Sequence, residues 1–174
     1  MLTISPYTLF DFNPKSNLDK WFVVDDVVMG GRSNSRFYLG DEGHAIFEGK
    51  VSLENNGGFS SVRFQFDRIA VNEYNHCEIR LRGDGKKYQF RVKSNRRERA
   101  SYITYFETNR EWQIVKIPLS EMYPSFRGMR LNMPDYPGEV MEEIVFLINN
   151  KKAENFRLEI DWIRLIQDTS PQNH

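Results

Sequence analysis

The feature of this sequence that most restricts its fold is an alternation of apolar and polar residues that recurs along most of the chain. In the run SSVRFQF (60–66), Val62, Phe64 and Phe66 alternate with polar residues. Because successive side chains of a β-strand point to opposite faces, this pattern predicts strands that bury one face. The pattern recurs at 77–81, 88–92, 101–106, 112–117, 143–148 and 156–166, with further candidates in YTLFDF, SRFYL and HAIFEG.

Turn-forming segments lie between these runs, and few segments favour helix. Asn56-Gly57 and Asp84-Gly85 are dipeptides typical of tight hairpin turns, which need positive φ at both central positions. Three segments, at 15–21, 118–123 and 137–144, each predict a short helix, the last two because proline begins them. About ten short strands with few helices predict an all-β fold, a β-sandwich or barrel. We predict a single β-sandwich domain at 1–168 and a disordered tail at 169–174.

The charge balance and cysteine content argue against several classes of protein. The 24 basic and 24 acidic residues cancel, whereas a nucleic-acid-binding protein normally carries a basic excess. The lone cysteine, Cys77, cannot form an internal disulfide, and the alternation places it on the same side as Ile79 and Leu81. The N-terminal segment MLTISPYTLFDF lacks the pattern of a secretory signal or membrane anchor. We therefore predict a cytoplasmic protein without nucleic acid, transmembrane segment or disulfide.

Three polar loops carry the candidate functional residues: DDVVMGGRS (25–33), ENNGGFSSVR (54–63) and RGDGKKY (82–88). Loops of a sandwich cluster at its two ends, so these three can converge on one patch. The predicted binding patch or structural polar network consists of Asp25, Asp26, Arg32, Asn55, Asn56, Arg63, Arg82, Asp84 and Lys86. We interpret the first loop as a rigid segment in which Asp26 and Arg32 form the polar fastening.

The residue types in these loops do not match known catalytic or metal-binding patterns. Adjacent carboxylates such as Asp25 and Asp26 point to opposite faces of an extended chain, and the stretch lacks the spaced oxygen ligands of a calcium loop. Gly30-Gly31 lacks the spacing of a phosphate-binding loop, and the histidines lack metal-ligand spacing. We predict no catalytic residue, metal or cofactor. A hydrolase with Asp26 as base and Arg82 holding an anion is kept as an alternative.

Aromatic residues offer a further alternative, a glycan-binding module. Sugar rings stack on exposed aromatic side chains, and Tyr38, Tyr123 and Tyr136 are the aromatics available in predicted loops. The alternation instead assigns four other aromatics to the core. These are Phe64, Phe90, Phe106 and Trp162.

Several longer segments resemble the complex I intermediate-associated protein family. The matching segments are WFVVDDVVMGGRS (21–33), FEGKVSLENNGGFSSVR (47–63), LRGDGKKYQF (81–90), WQIVKIP (112–118), SFRG (125–128) and FRLEIDWI (156–163). The first two together are specific, and the resemblance extends from about Trp21 to Ile166. It implies a galactose-binding-like, jelly-roll β-sandwich. It also implies a non-catalytic, chaperone-like assembly factor whose protein partners are intermediates of respiratory complex I.

Overall fold

The computed structural model describes residues 4–169, and strands make up most of its regular structure. The strands are β1 Tyr7–Asp11, β2 Trp21–Asp25, β3 Asn34–Leu39, β4 Ala45–Val51, β5 Ser60–Ala70, β6 His76–Arg82, β7 Lys87–Lys93, β8 Ser101–Glu107, β9 Trp112–Pro118, β10 Tyr123–Phe126, β11 Met129–Arg130, β12 Val140–Ile148 and β13 Glu154–Ile166. Three single-turn 3-10 helices accompany them, at Asp26–Met29, Glu54–Asn56 and Leu119–Glu121. Apart from Thr169, the predicted tail at 169–174 lies outside the described residues.

The strands form two antiparallel sheets packed face to face. The six-stranded sheet has the order β3-β4-β13-β6-β9, with β1 also pairing with β13, and the seven-stranded sheet has the order β11-β10-β8-β7-β12-β5-β2. One cluster of buried apolar side chains fills the space between the sheets, as the alternation predicts. Phe47 from one sheet and Tyr88, Phe90 and Phe146 from the other are fully buried. The predicted all-β sandwich is confirmed.

An aromatic stack closes one side of this core. The Trp21 ring lies between Phe37, at 4.9 Å, and Phe64, at 4.7 Å, measured between ring centroids. Because Phe37 belongs to β3 and Phe64 to β5, the stack joins the two sheets. Each such buried aromatic contributes about 1.5–3 kcal/mol through the apolar area removed from water.

The helix predictions fare less well than the strand predictions. Only 118–123 contains a helical turn, Leu119–Glu121. Residues 15–21 contain no helix, and Trp21 begins β2. In 137–144 the strand β12 begins at Val140, because this segment pairs with β5 on one side and β7 on the other. Pairing on both sides overrides the helical tendency of the sequence VMEE.

The two hairpin predictions are also wrong, for a topological reason. Asn56-Gly57 lies between β4 and β5, and Asp84-Gly85 lies between β6 and β7. In both cases the two strands belong to different sheets, so the loop crosses from one layer to the other. Only the positive φ predicted for Gly85 is present, at 85°. Gly57 is extended, and Asn55 takes the left-handed conformation nearby, with φ 56°.

Three of the four predicted core aromatics are buried, and Trp162 is the exception. Phe64, Phe90 and Phe106 belong to the core cluster. The register of β13 against β6 shifts between Ile160 and Trp162. This bulge changes the phase of the alternation, so Ile163 is buried and Trp162 lies on the outside, with the Arg164 guanidinium 4.2 Å from its ring.

Candidate functional site

Two of the three predicted loops meet around the carboxylate of Asp26. This side chain follows β2 directly and is fully buried. Its Oδ1 accepts a hydrogen bond from the Ser33 amide at 2.8 Å, and its Oδ2 accepts one from the Ser33 hydroxyl at 2.5 Å. Oδ2 also accepts from the backbone amides of Gly58, at 2.6 Å, and Phe59, at 3.3 Å. Asp26 therefore fastens the segment 25–33 to the segment 54–63.

These donors determine the ionisation of Asp26. Burial raises the pKa of a carboxyl, because a low-dielectric environment penalises the charge. The hydrogen bonds from Ser33, Gly58 and Phe59 outweigh this effect and lower the pKa of Asp26 below its ordinary value. The carboxylate is thus ionised at neutral pH, and its oxygens are occupied by fixed donors. That arrangement suits a structural anion and not a general base.

Asp25 binds a different set of donors on the other side of the chain. Its Oδ2 accepts from the Ser35 amide at 2.9 Å, and its Oδ1 accepts from the Ser35 hydroxyl at 2.6 Å. Burial raises the pKa of Asp25, and the Ser35 hydrogen bonds offset part of that rise. The adjacent carboxylates therefore hold two separate loop segments and do not converge on one reacting atom.

The glycines of these loops make room for the Asp26 carboxylate. A Cβ on Gly31 would lie 2.4 Å from Asp26 Cγ, and one on Gly57 would lie 2.5 Å from Asp26 Oδ2. Any side chain at either position would push the carboxylate away from its donors. Gly30 has a different role, because it forms a bend with φ 90°, a conformation that glycine adopts readily.

The predicted fastening by Arg32 is wrong. Arg32 lies on the surface, where its Nε is 3.7 Å from the Glu54 carboxylate, and all the donors to Asp26 are hydroxyl or backbone groups. Backbone amides approach a buried carboxylate without bringing a second charge out of water. Asn55 is exposed, and the side chain of Asn56 lies outside what the structure describes.

The third predicted loop lies at the same end of the sandwich but has its own partners. Asp84 accepts from the Tyr88 hydroxyl at 2.9 Å and from the Arg157 amide at 2.9 Å. It also accepts from Lys86, through the backbone amide at 3.3 Å and Nζ at 3.2 Å. Arg82 Nε donates to Glu159 at 2.6 Å. Neither residue contacts Asp26, so the nine predicted residues do not form one continuous polar network.

Arg82 belongs to a chain of ion pairs across the outer face of the six-stranded sheet, which we call the paired face. Its members are Arg36, Tyr38, Glu48, Arg157, Glu159 and Arg82. Glu48 binds Arg36 at 2.6 Å and Arg157 at 3.0 Å. Glu159 binds Arg157 at 3.2 Å and Arg82 at 2.6 Å. Burial raises the pKa of Glu48 and of Glu159, but their hydrogen-bond donors outweigh it and lower both. Each charge of this face has an opposite partner.

The outer face of the seven-stranded sheet is organised differently, and we call it the basic face. The strand register aligns one row of outward side chains across six strands: Phe22, Arg63, Val145, Arg91, Ile103 and Tyr123. Parallel rows on either side contain Gln65, Glu143 and Lys93, and Leu147, Gln89 and Tyr105. Arg63, which the sequence placed with the polar loops, therefore lies in the middle of a sheet.

The cations of the basic face have no carboxylate partners of their own. Within residues 4–169, Arg63 makes no side-chain hydrogen bond or ion pair, and its Nε is buried. Arg91 donates only to the Gln89 amide oxygen, at 2.9 and 2.6 Å. Lys93 Nζ donates to the backbone oxygen of Glu98 at 2.6 Å. Glu143, the carboxylate within these three rows, accepts from Gln65 at 2.7 Å, and its second oxygen is buried and has no donor among the described residues.

Two open clefts lie on these outer faces. One of about 390 Å³ adjoins the paired face at Tyr38, His44 and Arg82, and one of about 340 Å³ adjoins the basic face at Lys20, Phe22 and Gln65. The described residues include no group of three or more histidine, cysteine or acidic side chains arranged to hold a metal ion. Between residues 4 and 169, no helix is long and apolar enough to span a bilayer.

Sequence reasoning missed most of the basic face. Arg91, Lys93, Gln89 and Glu143 are not among the predicted site residues, although the alternation correctly turned them away from the core. The missing information was the order of strands, which brings β5, β12 and β7 together from distant parts of the chain. Cys77 was predicted correctly as a buried residue, and burial raises the pKa of its thiol far above the ordinary value.

A family model for complex I intermediate-associated protein 30 matches residues 10–160. Complex I intermediate-associated protein 30, mitochondrial, from Drosophila melanogaster is 27% identical over 93% of this chain and 63% of its own length. The Mus musculus protein of that name is 26% identical over 92% of this chain and 56% of its own. A probable Caenorhabditis elegans counterpart is 25% identical over 92% and 54%. The chain thus spans 54–63% of the length of these relatives.

Solved structures of carbohydrate-binding modules share the fold. A family 11 carbohydrate-binding module from Clostridium thermocellum, in complex with a mixed-linked tetrasaccharide, has a TM-score of 0.68 at 14% identity, covering 93% of this chain and 95% of that one. The same family's module from the cellulase Lic26A-Cel5E has a TM-score of 0.70 at 13% identity, covering 99% and 100%. At such identities the likeness establishes the fold alone, a galactose-binding-like jelly-roll sandwich.

The relatives overturn one prediction and confirm another. Our prediction of a cytoplasmic location is wrong, because all three relatives are named as mitochondrial proteins. That prediction relied on the composition of the N-terminal segment of this chain, which carries no information about where the relatives are located. The resemblance noted in the sequence is confirmed, since the family model covers most of the residues. The chain belongs to the complex I intermediate-associated protein 30 family.

Proposed function

We propose that this chain is a non-catalytic, chaperone-like factor that binds polypeptide intermediates of respiratory complex I during assembly, in a mitochondrial setting. The observation that carries the proposal is the family match over residues 10–160, together with relatives named for association with complex I intermediates. Protein partners follow from that role. Because the chain spans just over half of those relatives, the proposal concerns what this sandwich contributes.

The chemistry of the candidate catalytic groups supports a binding function. Asp26, the predicted base of the hydrolase alternative, is buried beneath fixed donors and its pKa is lowered. Arg82, the predicted anion holder, is paired with Glu159 at 2.6 Å. A general base needs a pKa near the working pH and access to its proton, and Asp26 has neither. A hydrolase built on these two residues is therefore poorly supported.

The glycan-binding alternative is also less well supported, because cations cover the aromatic rings that it would use. The Arg36 guanidinium lies 4.6 Å from the Tyr38 ring centroid, and the Arg130 guanidinium lies 4.6 Å from that of Tyr123. Tyr136 is buried, and its hydroxyl donates to the Val140 carbonyl at 2.6 Å. Stacking a sugar on these rings would first require displacing the cation or opening the core.

Deletion of the gene in the source organism tests the proposal. We expect loss of the chain to lower the amount of assembled complex I on native gels and to leave other respiratory complexes unchanged. Re-expression of the wild-type chain should restore it, and complex I subcomplexes should cross-link to the tagged chain. Normal complex I in the deletion strain, with no subunit cross-linked to the chain, would contradict the proposed function.

A further inference from the structure

The basic face holds two buried polar atoms that lack a partner within the described chain, Arg63 Nε and Glu143 Oε2. They lie close together, because Arg63 pairs in register with Val145, two residues beyond Glu143 on the same face. Buried polar groups are nearly always hydrogen-bonded, and water satisfies them when protein does not. One atom is a donor and the other is an acceptor, so the side chains of this face leave part of their hydrogen-bonding capacity unused.

The cations of this face are also placed against each other. Arg63 and Arg91 flank Val145 from opposite sides, two strand spacings apart, or about 10 Å at the backbone. Burial and the neighbouring Arg63 guanidinium lower the pKa of Arg91. Burial likewise lowers the pKa of Lys93, although Glu143 acts in the other direction. Three cations around one carboxylate leave an excess of positive charge that an anion would stabilise.

An apolar stripe runs between the charges. Val145, Leu147 and Ile103 are 2–4% exposed, yet they point away from the core and do not belong to its cluster. More exposed aromatic rings mark the margins, with Phe22 at 40% and Tyr105 at 43%. Exposed apolar side chains beside cations that lack carboxylate partners favour binding of an acidic polypeptide.

We propose that the basic face is the docking surface for an acidic, extended segment of a partner protein, whose carboxylates bind Arg63 and Arg91. The inference rests on the proposed function, which supplies a protein partner, and it adds the site and the chemistry of recognition. Arginine binds carboxylates through two parallel hydrogen bonds. The guanidinium of Arg63 makes no hydrogen bond or ion pair within residues 4–169, so it keeps its capacity to bind an anion.

The dimensions fit a short segment. The row from Phe22 to Tyr123 crosses six strands, or about 24 Å at a spacing of about 4.8 Å. An extended chain rises about 3.3 Å per residue, so about seven residues span the row. Side chains two residues apart point to the same side, about 7 Å from each other, which is within reach of both arginines. A phosphate or acidic glycan offers anions but lacks the apolar side chains that would pack on the exposed ring of Phe22.

An array of nine-residue peptides tests this inference. Each peptide carries Glu at alternate positions among apolar and aromatic residues, and each has a counterpart with Gln in place of Glu. We expect the full chain to bind acidic members and to bind their Gln counterparts at least tenfold more weakly. Arg63→Gln or Arg91→Gln should each weaken binding about tenfold, the effect of one lost charged hydrogen bond. Arg36→Gln removes the same charge from the paired face and should leave binding unchanged.

Each other outcome counts against the inference. Equal binding of acidic and Gln peptides, or equal losses in Arg36→Gln and Arg91→Gln, would overturn the assignment of the surface. Tighter binding of polygalacturonate or polyphosphate than of any peptide, lost in Arg63→Gln, would overturn the polypeptide occupant. Unchanged thermal unfolding of the variants confirms that they are folded.

Complementation separates this inference from the proposed function. If deletion of the gene lowers complex I and a chain with both Arg63→Gln and Arg91→Gln restores it fully, the docking surface is wrong and the assembly role stands. If deletion leaves complex I unchanged, the assembly role fails, and the peptide array still decides whether the basic face binds acidic segments.

Discussion

The outer faces of the two sheets carry similar side chains and differ in how their charges are paired. On the paired face, Glu48 and Glu159 alternate with arginines so that each guanidinium meets a carboxylate at 2.6–3.2 Å. On the basic face, Arg63 and Arg91 flank an apolar residue, and the nearby carboxylate of Glu143 accepts a hydrogen bond from Gln65 instead of from either arginine. The same alternation thus produced one surface that satisfies itself and another that needs an outside partner.

The difference teaches where to look for function on a sandwich without a catalytic constellation. An ion-pair network in which every charge has a partner stabilises the fold. It binds a charged ligand weakly, because the ligand must break existing ion pairs. Partly buried cations without carboxylate partners reduce the stability of the fold, and binding of an anion stabilises them. Substitutions should therefore have opposite consequences on the two faces.

The largest effect on stability is expected at Asp26, a buried carboxylate that accepts four hydrogen bonds from within the chain. Asp26→Ala leaves four hydrogen-bond donors without their acceptor, including three buried groups of Ser33 and Gly58. We expect a loss of about 3 kcal/mol in the free energy of unfolding, measured by urea denaturation. Arg32→Ala, in the same loop, serves as the control and should change stability by less than about 0.5 kcal/mol. Equal losses in the two variants would show that Asp26 is not the fastening.

The next effect is expected on the paired face. Glu159→Gln keeps the size of the side chain but removes the charge that Arg82 and Arg157 share, and the Glu159 side chain is only 11% exposed. We expect a loss of about 1–2 kcal/mol by urea denaturation, because two partly covered guanidinium groups lose their anion. Unchanged stability would mean that these ion pairs contribute nothing to folding. The contrast between the two faces would then be weakened.

Acid should destabilise the protein by protonating Asp26 and the carboxylates of the paired face. The pKa values of Asp26, Glu48 and Glu159 are all lowered in the fold, so the unfolded chain binds more protons as the pH falls. Their contribution is fully present above the ordinary carboxyl pKa values of about 4 and is lost as the pH falls through the lowered folded-state values. Asp25, whose pKa is raised, acts in the opposite direction.

Urea midpoints between pH 7 and pH 3 check this expectation. Glu159→Gln should flatten the acid decline by about 1 kcal/mol, and Arg91→Gln should leave the slope unchanged, since arginine does not titrate there. Parallel curves for wild type and Glu159→Gln would show that the lowered pKa of Glu159 does not contribute to stability.

The smallest effect is expected on the basic face itself. Arg91→Gln removes one of two mutually repelling cations, and glutamine can still donate to Gln89. We expect unfolding free energy to stay unchanged or to rise by up to about 0.5 kcal/mol, with the gain shrinking in high salt. A loss above about 1 kcal/mol would mean that Arg91 is held by stabilising contacts, and the two faces would then behave alike.

Much of the fold could be predicted from the sequence because alternation directly reports which side of a strand is buried. It identified β1, β3 to β9, most of β12 and nearly all of β13, and in β13 it gave the buried face correctly up to the bulge. It failed at Trp162 because one inserted residue reverses the phase and leaves no mark in composition. It failed at 137–144 because the pairing of β12 with two neighbouring strands is a long-range effect.

The candidate site was less predictable, for a related reason. The proximity of Asp26 to the 54–63 loop was foreseeable, since both loops combine glycine with polar residues at strand ends. The choice of Ser33 and backbone amides over Arg32 depends on loop geometry that no local pattern fixes. The basic face depends on the register of β5, β12 and β7, which come from distant parts of the chain. Arg63 and Val145, for example, pair although they are 82 residues apart in sequence.

Arginine side-chain NMR tests the central claim most directly. The Nε–H resonances of Arg63, Arg91 and Arg82 can be assigned from lysine substitutions and followed while an acidic peptide from the array is added. We expect those of Arg63 and Arg91 to shift with the binding curve, and that of Arg82, already bonded to Glu159 at 2.6 Å, to stay in place. Shifts at Arg82 with none at Arg63 and Arg91 would contradict the account.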